Sequence, residues 1–254
     1  MGPNRHAFMR LVALIPARFG STRFPGKALA DILGQPLIQR VYEQARLVQG
    51  LDDIYVATDE ARIKEVVEGF GGRAVLTRVD HLSGSDRLAE AAHVLGLERR
   101  DVVINIQGDQ PVFSPGIIGD MAAVLEQDAA AVMVTPARRL EDLELAQNPN
   151  LVKVVFDHHG RALYFSRSPL PYWRDGERPY FYKHIGMYAY RVEFLQEFVA
   201  LPPGRWEQAE KLEQLRALEH GYPIHVVETG EDTLEVDTPE DVARVEAYLR
   251  GNRS

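Results

Sequence analysis

Two short apolar runs, residues 11–15 (LVALI) and 102–106 (VVINI), constrain this chain more than any other feature. A strand with core on both faces reads as a continuous apolar run, and such strands belong to parallel sheets covered by helices on both sides. The intervening sequence fits that arrangement. Residues 36–48 repeat at helical spacing through Leu37, Ile38, Val41, Tyr42 and Ala45. Residues 53–58 (DIYVAT) read as a strand, 62–68 as a helix, Gly71-Gly72 as its stop and 73–76 as another strand. Strands alternating with helices predict a doubly wound, mostly parallel α/β sheet. A further strand is expected at 131–135. VKVVFD and RALYFS, joined through His158-His159 and Gly160, then predict a β-hairpin, so the sheet becomes mixed. No stretch rich in Pro, Gly or Ser divides the chain. One domain is therefore expected over 1–254, with an opening part at about 11–135, an inserted part at about 150–225 and a return to the core at 225–250.

The loop after the first run carries chemistry. Pro16 is expected to end the strand, because proline cannot donate to a ladder. Arg18, Arg23 and Lys27 follow, beside Gly20, Gly26, Ser21 and Thr22. Cations and close-approaching backbone amides suit an anion, and the C-terminal end of the first strand is where an open α/β sheet binds ligands. A solvated surface loop accounts for these residues equally well when they are taken alone. The loop is not a P-loop, since five residues separate Gly20 from Gly26 and Ala28 follows Lys27; nor does it contain G-x-G-x-x-G.

Other segments face the same crevice. The central strand 102–106 runs into Gln107, Gly108 and Asp109, and a hard carboxylate there suits Mg²⁺, although a turn-forming aspartate reads the same way. Ser85 is the expected N-cap of a helix starting near Asp86, with Leu88, Ala89 and Ala92 inward. A helix is expected over 207–220, placing Glu210, Glu213 and Gln214 on one face that need only be solvated. Near the end, Thr238 is the expected cap before Pro239, with Glu240 and Asp241 in the first turn; Asp237 is left to face the crevice. Seven of the 22 aromatic residues fall within 164–182, a density that fits a substrate cover or a subunit interface.

Composition removes several function classes. A formal charge of −8 argues against general nucleic-acid binding. The absence of cysteine excludes disulfides, thiolate metal sites and a cysteine nucleophile. No apolar run approaches the ~20 residues of a membrane span, and no secretory leader is evident. A soluble, intracellular protein without membrane insertion is the expectation.

Eight strings in order extend the reading: PARFGSTRFPGK, TRVDHLSGSDR, NIQGDQP, NPNLVKVV, YFSRSPLPY, KHIGMYAYR, KLEQLR and EVDTPED. Over about residues 11–249 the chain resembles the 3-deoxy-manno-octulosonate (Kdo) cytidylyltransferases. The resemblance implies a nucleotide-diphospho-sugar transferase fold with a β-rich dimerisation insertion, and transfer of CMP from CTP to the anomeric hydroxyl of Kdo with release of pyrophosphate. It implies Mg²⁺, a homodimer, a cytoplasmic setting and a place in lipopolysaccharide synthesis. By residue, it implies nucleotide contacts from Ala17, Arg18, Ser21, Arg23, Lys27, Thr77, Ser83, Gly84, Arg87 and Gln107. Metal carboxylates are Asp109 and Asp237, which with Arg18 and Lys27 form the catalytic set. Sugar contacts fall to Arg167, His184, Tyr188, Glu213 and Gln214, with Arg167 meeting the sugar's carboxylate. Gln110 departs from the family's usual glutamate, with one negative charge fewer beside the metal. A cytidylyltransferase for another sugar acid, such as sialic acid, and a non-catalytic nucleotide or sugar sensor are the alternatives.

Overall fold

The computed structural model describes residues 9–20, 24–175 and 180–251. The first half runs β1 (Leu11–Ala17), a small ribbon of β2 (Asp31–Ile32) and β3 (Gln35–Pro36), α1 (Leu37–Ala45), β4 (Asp53–Thr58), α2 (Ala61–Gly69), β5 (Ala74–Leu76), α3 (Gly84–Val94) and β6 (Val102–Asn105). The second half begins with α4 (Pro115–Gln127), β7 (Met133–Leu140), α5 (Leu143–Gln147), β8 (Lys153–Phe156), β9 (Ala162–Ser166), β10 (Phe181–His184) and β11 (Tyr188–Arg191). It closes with α6 (Val192–Ala200), α7 (Arg205–Glu210), α8 (Leu215–Glu219), β12 (His225–Thr229) and α9 (Pro239–Gly251).

Among the described residues, nine strands follow the order β5-β4-β1-β6-β11-β7-β10-β8-β9, and β12 pairs with β7. The β5–β4–β1–β6 part is parallel. Strand β11 then lies antiparallel to both β6 and β7, and β10 with the β8–β9 hairpin continues antiparallel. The mixed, doubly wound sheet expected from the sequence is the one found. Along β1, Leu11, Ala13 and Ile15 pack on one face with Ile38 and Val41 of α1 and Met121 of α4. Val12 and Leu14 pack on the other with Leu88 and Ala92 of α3 and Phe198 of α6. Each fully buried aliphatic side chain contributes roughly 1.5–3 kcal/mol, so this strand has no face to spare for water.

Three local expectations are corrected. Strand β1 continues through Pro16 and Ala17, which pair with Ala57 and Thr58 of β4. Leu14 faces β6, so the absent N–H of Pro16 also falls on that side, where β6 has already ended at Asn105. No ladder bond is lost. The cap of α3 is Ser83, not Ser85: Ser83 Oγ accepts the N–H of Asp86, whose carboxylate accepts the N–H of Ser83. The string Ser83-x-x-Asp86 is a capping box, whereas Ser85 has Leu88 three residues on. Finally, 207–220 is not one helix. Lys211 adopts φ 54°, ψ 47° and separates α7 from α8, so Glu210, Glu213 and Gln214 do not share a face.

Candidate active site

Strands β1, β4 and β6 are parallel, so their C-terminal ends open on one crevice. Gly108 brings the loop after β6 against the end of β1, since a Cβ there would sit 2.6 Å from the Pro16 carbonyl oxygen. Any side chain would push Asp109 away from the opening loop. With glycine present, Lys27 Nζ lies 2.6 Å from Asp109 Oδ2 and 3.5 Å from Asp237 Oδ1. Gly26, in the left-handed region at φ 71°, turns the chain into the single 3₁₀ turn that carries Lys27. Asp237 is delivered by the segment before α9: Val236 N–H donates to the Asp109 carbonyl, and Asp237 N–H to the Asp241 carboxylate. That carboxylate also accepts the Thr238 N–H and hydroxyl, so Asp241 organises this helix start.

A cleft of about 380 Å³ lies over this cluster, lined among others by Ala17, Arg18, Lys27, Ser83, Gly84 and Arg87. Arg87 is buried; its guanidinium donates to Thr77 Oγ1 at 2.6 Å and to Asp59 Oδ2 at 2.8 Å. Thr77 thus enters the site as the support of Arg87. Asp59 was not anticipated, although it follows a strand end just as Asp109 does. Arg18 is exposed at the cleft. Ser21 and Arg23 lie outside the described residues.

Gln107 and Asp109 form a wall shared with a second cavity of about 530 Å³, where His184, Tyr188 and Gln214 are also found. Gln107 Nε2 donates to the Gly186 carbonyl at 2.9 Å, which fixes that wall. His184 packs edge-on to Phe165 and lies 2.9 Å through Nε2 from Thr135 Oγ1. Thr135 Oγ1 also lies within hydrogen-bond distance of the Met187 and Ile185 carbonyls, at 2.7 and 3.3 Å. Burial, and then the charge of Lys183, push His184 down to about 3, and the ring stays neutral. Burial likewise raises the Tyr188 phenol far above its ordinary range. Gln214 is buried, and its Nε2 is without a hydrogen-bond partner.

Two expected sugar contacts are directed elsewhere. Arg167 donates to the carbonyls of Glu210, Pro149 and Lys211 at 2.7, 2.9 and 3.4 Å. Glu213 accepts from Ser85 Oγ at 2.8 Å and is pushed up chiefly by burial. Gln110 is 1% exposed and donates through Nε2 to Glu235 Oε1 at 2.8 Å, leaving its own Oε1 without a partner. Glu235 was passed over in the sequence because it sits in a string whose aspartate drew the chemistry. Burial, and then the charge of Asp109, raise its carboxyl.

The donor set at Lys27 fits a divalent cation. Two carboxylates flank one ammonium, so a positive charge already occupies the space between them. Among the described residues no group of three or more His, Cys, Asp or Glu forms a metal cage. Two carboxylates plus phosphate oxygens are what Mg²⁺ commonly takes. No described helix is long and apolar enough to cross a membrane.

Residues 12–229 match the family model described as cytidylyltransferase. The chain is 55% identical over 243 residues, 95% of its length and 97% of the relative's, to the 3-deoxy-manno-octulosonate cytidylyltransferase of Syntrophobacter fumaroxidans. It is 53% identical over 242 residues, 95% of its length and 99% of the relative's, to the 8-amino-3,8-dideoxy-manno-octulosonate cytidylyltransferase of Shewanella pealeana. Among solved structures, CMP:2-keto-3-deoxy-manno-octonic acid synthetase complexed with CTP superposes with TM-score 0.90 at 43% identity, covering 95% of this chain and 99% of that one.

Proposed function

The chain belongs to the cytidylyltransferase family, and we propose that it transfers CMP from CTP to the anomeric hydroxyl of Kdo, releasing pyrophosphate. The observation that carries this reading is the meeting of Asp109, Asp237 and Lys27 where the two cavities share a wall. A donor in one cavity and an acceptor in the other meet at that wall. In-line attack on the α-phosphate then needs alignment and charge stabilisation rather than covalent chemistry from the protein.

Arg18 and Lys27, with Arg23 and Ser21 from the same loop, hold the triphosphate. Ala17, Ser83, Gly84, Arg87 with Thr77, and Gln107 line the nucleotide. Asp109 and Asp237 hold Mg²⁺, which when bound neutralises phosphate charge and activates the sugar hydroxyl. His184, Tyr188 and Gln214 contact the acceptor. Arg167 and Glu213, which lie against the Glu210 carbonyl and the Ser85 hydroxyl in the structure, complete the acceptor contacts of this reading. The three-part, single-domain division, at about 11–135, 150–225 and 225–250, follows this plan. Exposed Tyr172, Trp173 and Leu163 in the inserted part support a homodimer interface. The protein acts in the cytoplasm, in lipopolysaccharide synthesis.

The test is product identification by mass spectrometry after incubation with Mg²⁺, CTP and Kdo. CMP-Kdo is expected, with none when ATP, GTP or UTP replaces CTP. CMP-sialic acid from a parallel incubation, in the absence of CMP-Kdo, would move the acceptor assignment; no product from folded protein would favour a nucleotide or sugar sensor.

A further inference from the structure

One wall of the acceptor cavity is held by a lysine that the proposed reaction does not use. Lys153, on β8, is fully buried, and among the described residues no carboxylate pairs with it within 4 Å. Its Nζ donates instead to three backbone carbonyls: Leu151 at 2.7 Å, Asn148 at 3.1 Å and Arg167. A carbonyl only accepts, so the nitrogen commits all three ammonium protons to these bonds and keeps none for chemistry. Burying a cation without a carboxylate is costly, and burial lowers the Lys153 ammonium below its ordinary value. What the three bonds secure is position. They tie the turn 148–151 to the chain just past β9, and Arg167 adds to them by donating to the Pro149 carbonyl at 2.9 Å. On the other side of the turn, the Val152 carbonyl accepts the N–H of His184 at 2.8 Å.

Asn150 is the polar side chain that this turn presents. It lines the acceptor cavity with Leu151, Val152 and His184. Its backbone N–H donates to Asn148 Oδ1 at 2.9 Å, whereas its side chain is exposed and, among the described residues, makes no hydrogen bond. A neutral amide offers donors and an acceptor side by side, a pairing that a hydroxyl satisfies in both directions. An exposed amide on a loose loop would only be solvated. This one stands on a turn fixed from two sides at the cavity wall.

We propose that the Asn150 amide reads a hydroxyl of the acceptor that the transfer does not consume, and that Lys153 is the positioning residue that holds it there. The inference rests on the cytidylyltransferase reading and adds a specificity residue to its acceptor side.

Steady-state kinetics with CTP, Kdo and Mg²⁺ test this in the natural protein, Asn150→Ala, Lys153→Gln and the double variant. Asn150→Ala should raise KM for Kdo about fivefold, the loss of one neutral hydrogen bond, with KM for CTP and kcat within about twofold. Lys153→Gln should do the same, and the double variant should be no worse than the poorer single one, because the lysine acts through the asparagine. A purely structural lysine would raise both KM values or add its loss to that of Asn150→Ala. Either result overturns the inference, as does an unchanged KM for Kdo in Asn150→Ala. Hydrogen exchange on the natural protein keeps the clamp testable if Lys153→Gln fails to fold. Without ligands, the Leu151 N–H, which donates to the Asn148 carbonyl at 3.1 Å, should exchange at least about tenfold slower than in an unfolded chain, and unprotected exchange overturns the inference. No turnover by the natural protein contradicts the transferase reading itself, and the Asn150 contact with it.

Discussion

The nucleotide cleft and the acceptor cavity solve the polar-burial problem in opposite ways. In the cleft, charge is balanced within the protein: Lys27 lies against Asp109 and Asp237, and Arg87 against Asp59. In the acceptor cavity, Gln110 Oε1 and Gln214 Nε2 are buried with no partner. The cleft is built from loops after parallel strands, where cations can exchange a protein carboxylate for a phosphate. The cavity is walled by the antiparallel half, by Leu212 and Gln214 just before α8, and by the 232–235 segment. Binding in the cleft therefore replaces existing ion pairs, whereas binding in the cavity completes bonds the fold leaves open. The cleft should tolerate emptiness better, and the cavity should discriminate more sharply.

The largest effect that would break this contrast is at the shared wall. Asp109→Asn should lower kcat by about 10³-fold, the scale of losing one preorganised electrostatic group, with the thermal midpoint little changed because Lys27 retains Asp237. A loss below tenfold would remove Asp109 from the catalytic set.

On the cavity side, His184 provides a stability test. Its folded value lies below its unfolded one, so between about pH 3 and 6.5 the unfolded chain binds the extra proton and stability falls as pH falls. From pH 7 to pH 5 this group should account for roughly 2 kcal/mol of lost stability. Urea unfolding at both values, with His184→Gln as reference, should show a shallower dependence in the variant. Identical slopes would place His184 in a solvated setting.

A smaller effect sharpens the division itself. Gln214→Leu should raise KM for the acceptor about tenfold, the loss of one hydrogen bond to a buried group, and leave KM for CTP unchanged. Equal changes in both would mean that the cavities are not separate.

The parts of the molecule legible in the sequence are those set by periodicity. Both apolar runs became central strands, and Leu37, Ile38, Val41, Tyr42 and Ala45 all became core. The misread parts turned on local alternatives that periodicity does not separate. SGSD offers two serines, and only the acceptor three residues later selects Ser83. Lys211 breaks a helical pattern without a glycine or proline to mark it. Pro16 stays in a strand because its neighbour on one side has ended. Asp59 and Thr135 matter through the partners they hold, Arg87 and His184, and spacing along the chain says nothing of such pairs. The Gln110–Glu235 pair bridges 125 positions and was invisible for the same reason.

The most direct test of the central claim is a crystal structure with CTP, Mg²⁺ and an acceptor analogue lacking the attacking hydroxyl. The account predicts the triphosphate along Lys27 and Arg18, and the acceptor's anomeric carbon facing the α-phosphorus across Asp109 and Gln107, so that the restored hydroxyl oxygen would lie at the contact distance of ~3–3.5 Å needed for attack. An acceptor bound away from the cavity of His184, Tyr188 and Gln214, or a triphosphate away from Lys27, would contradict it.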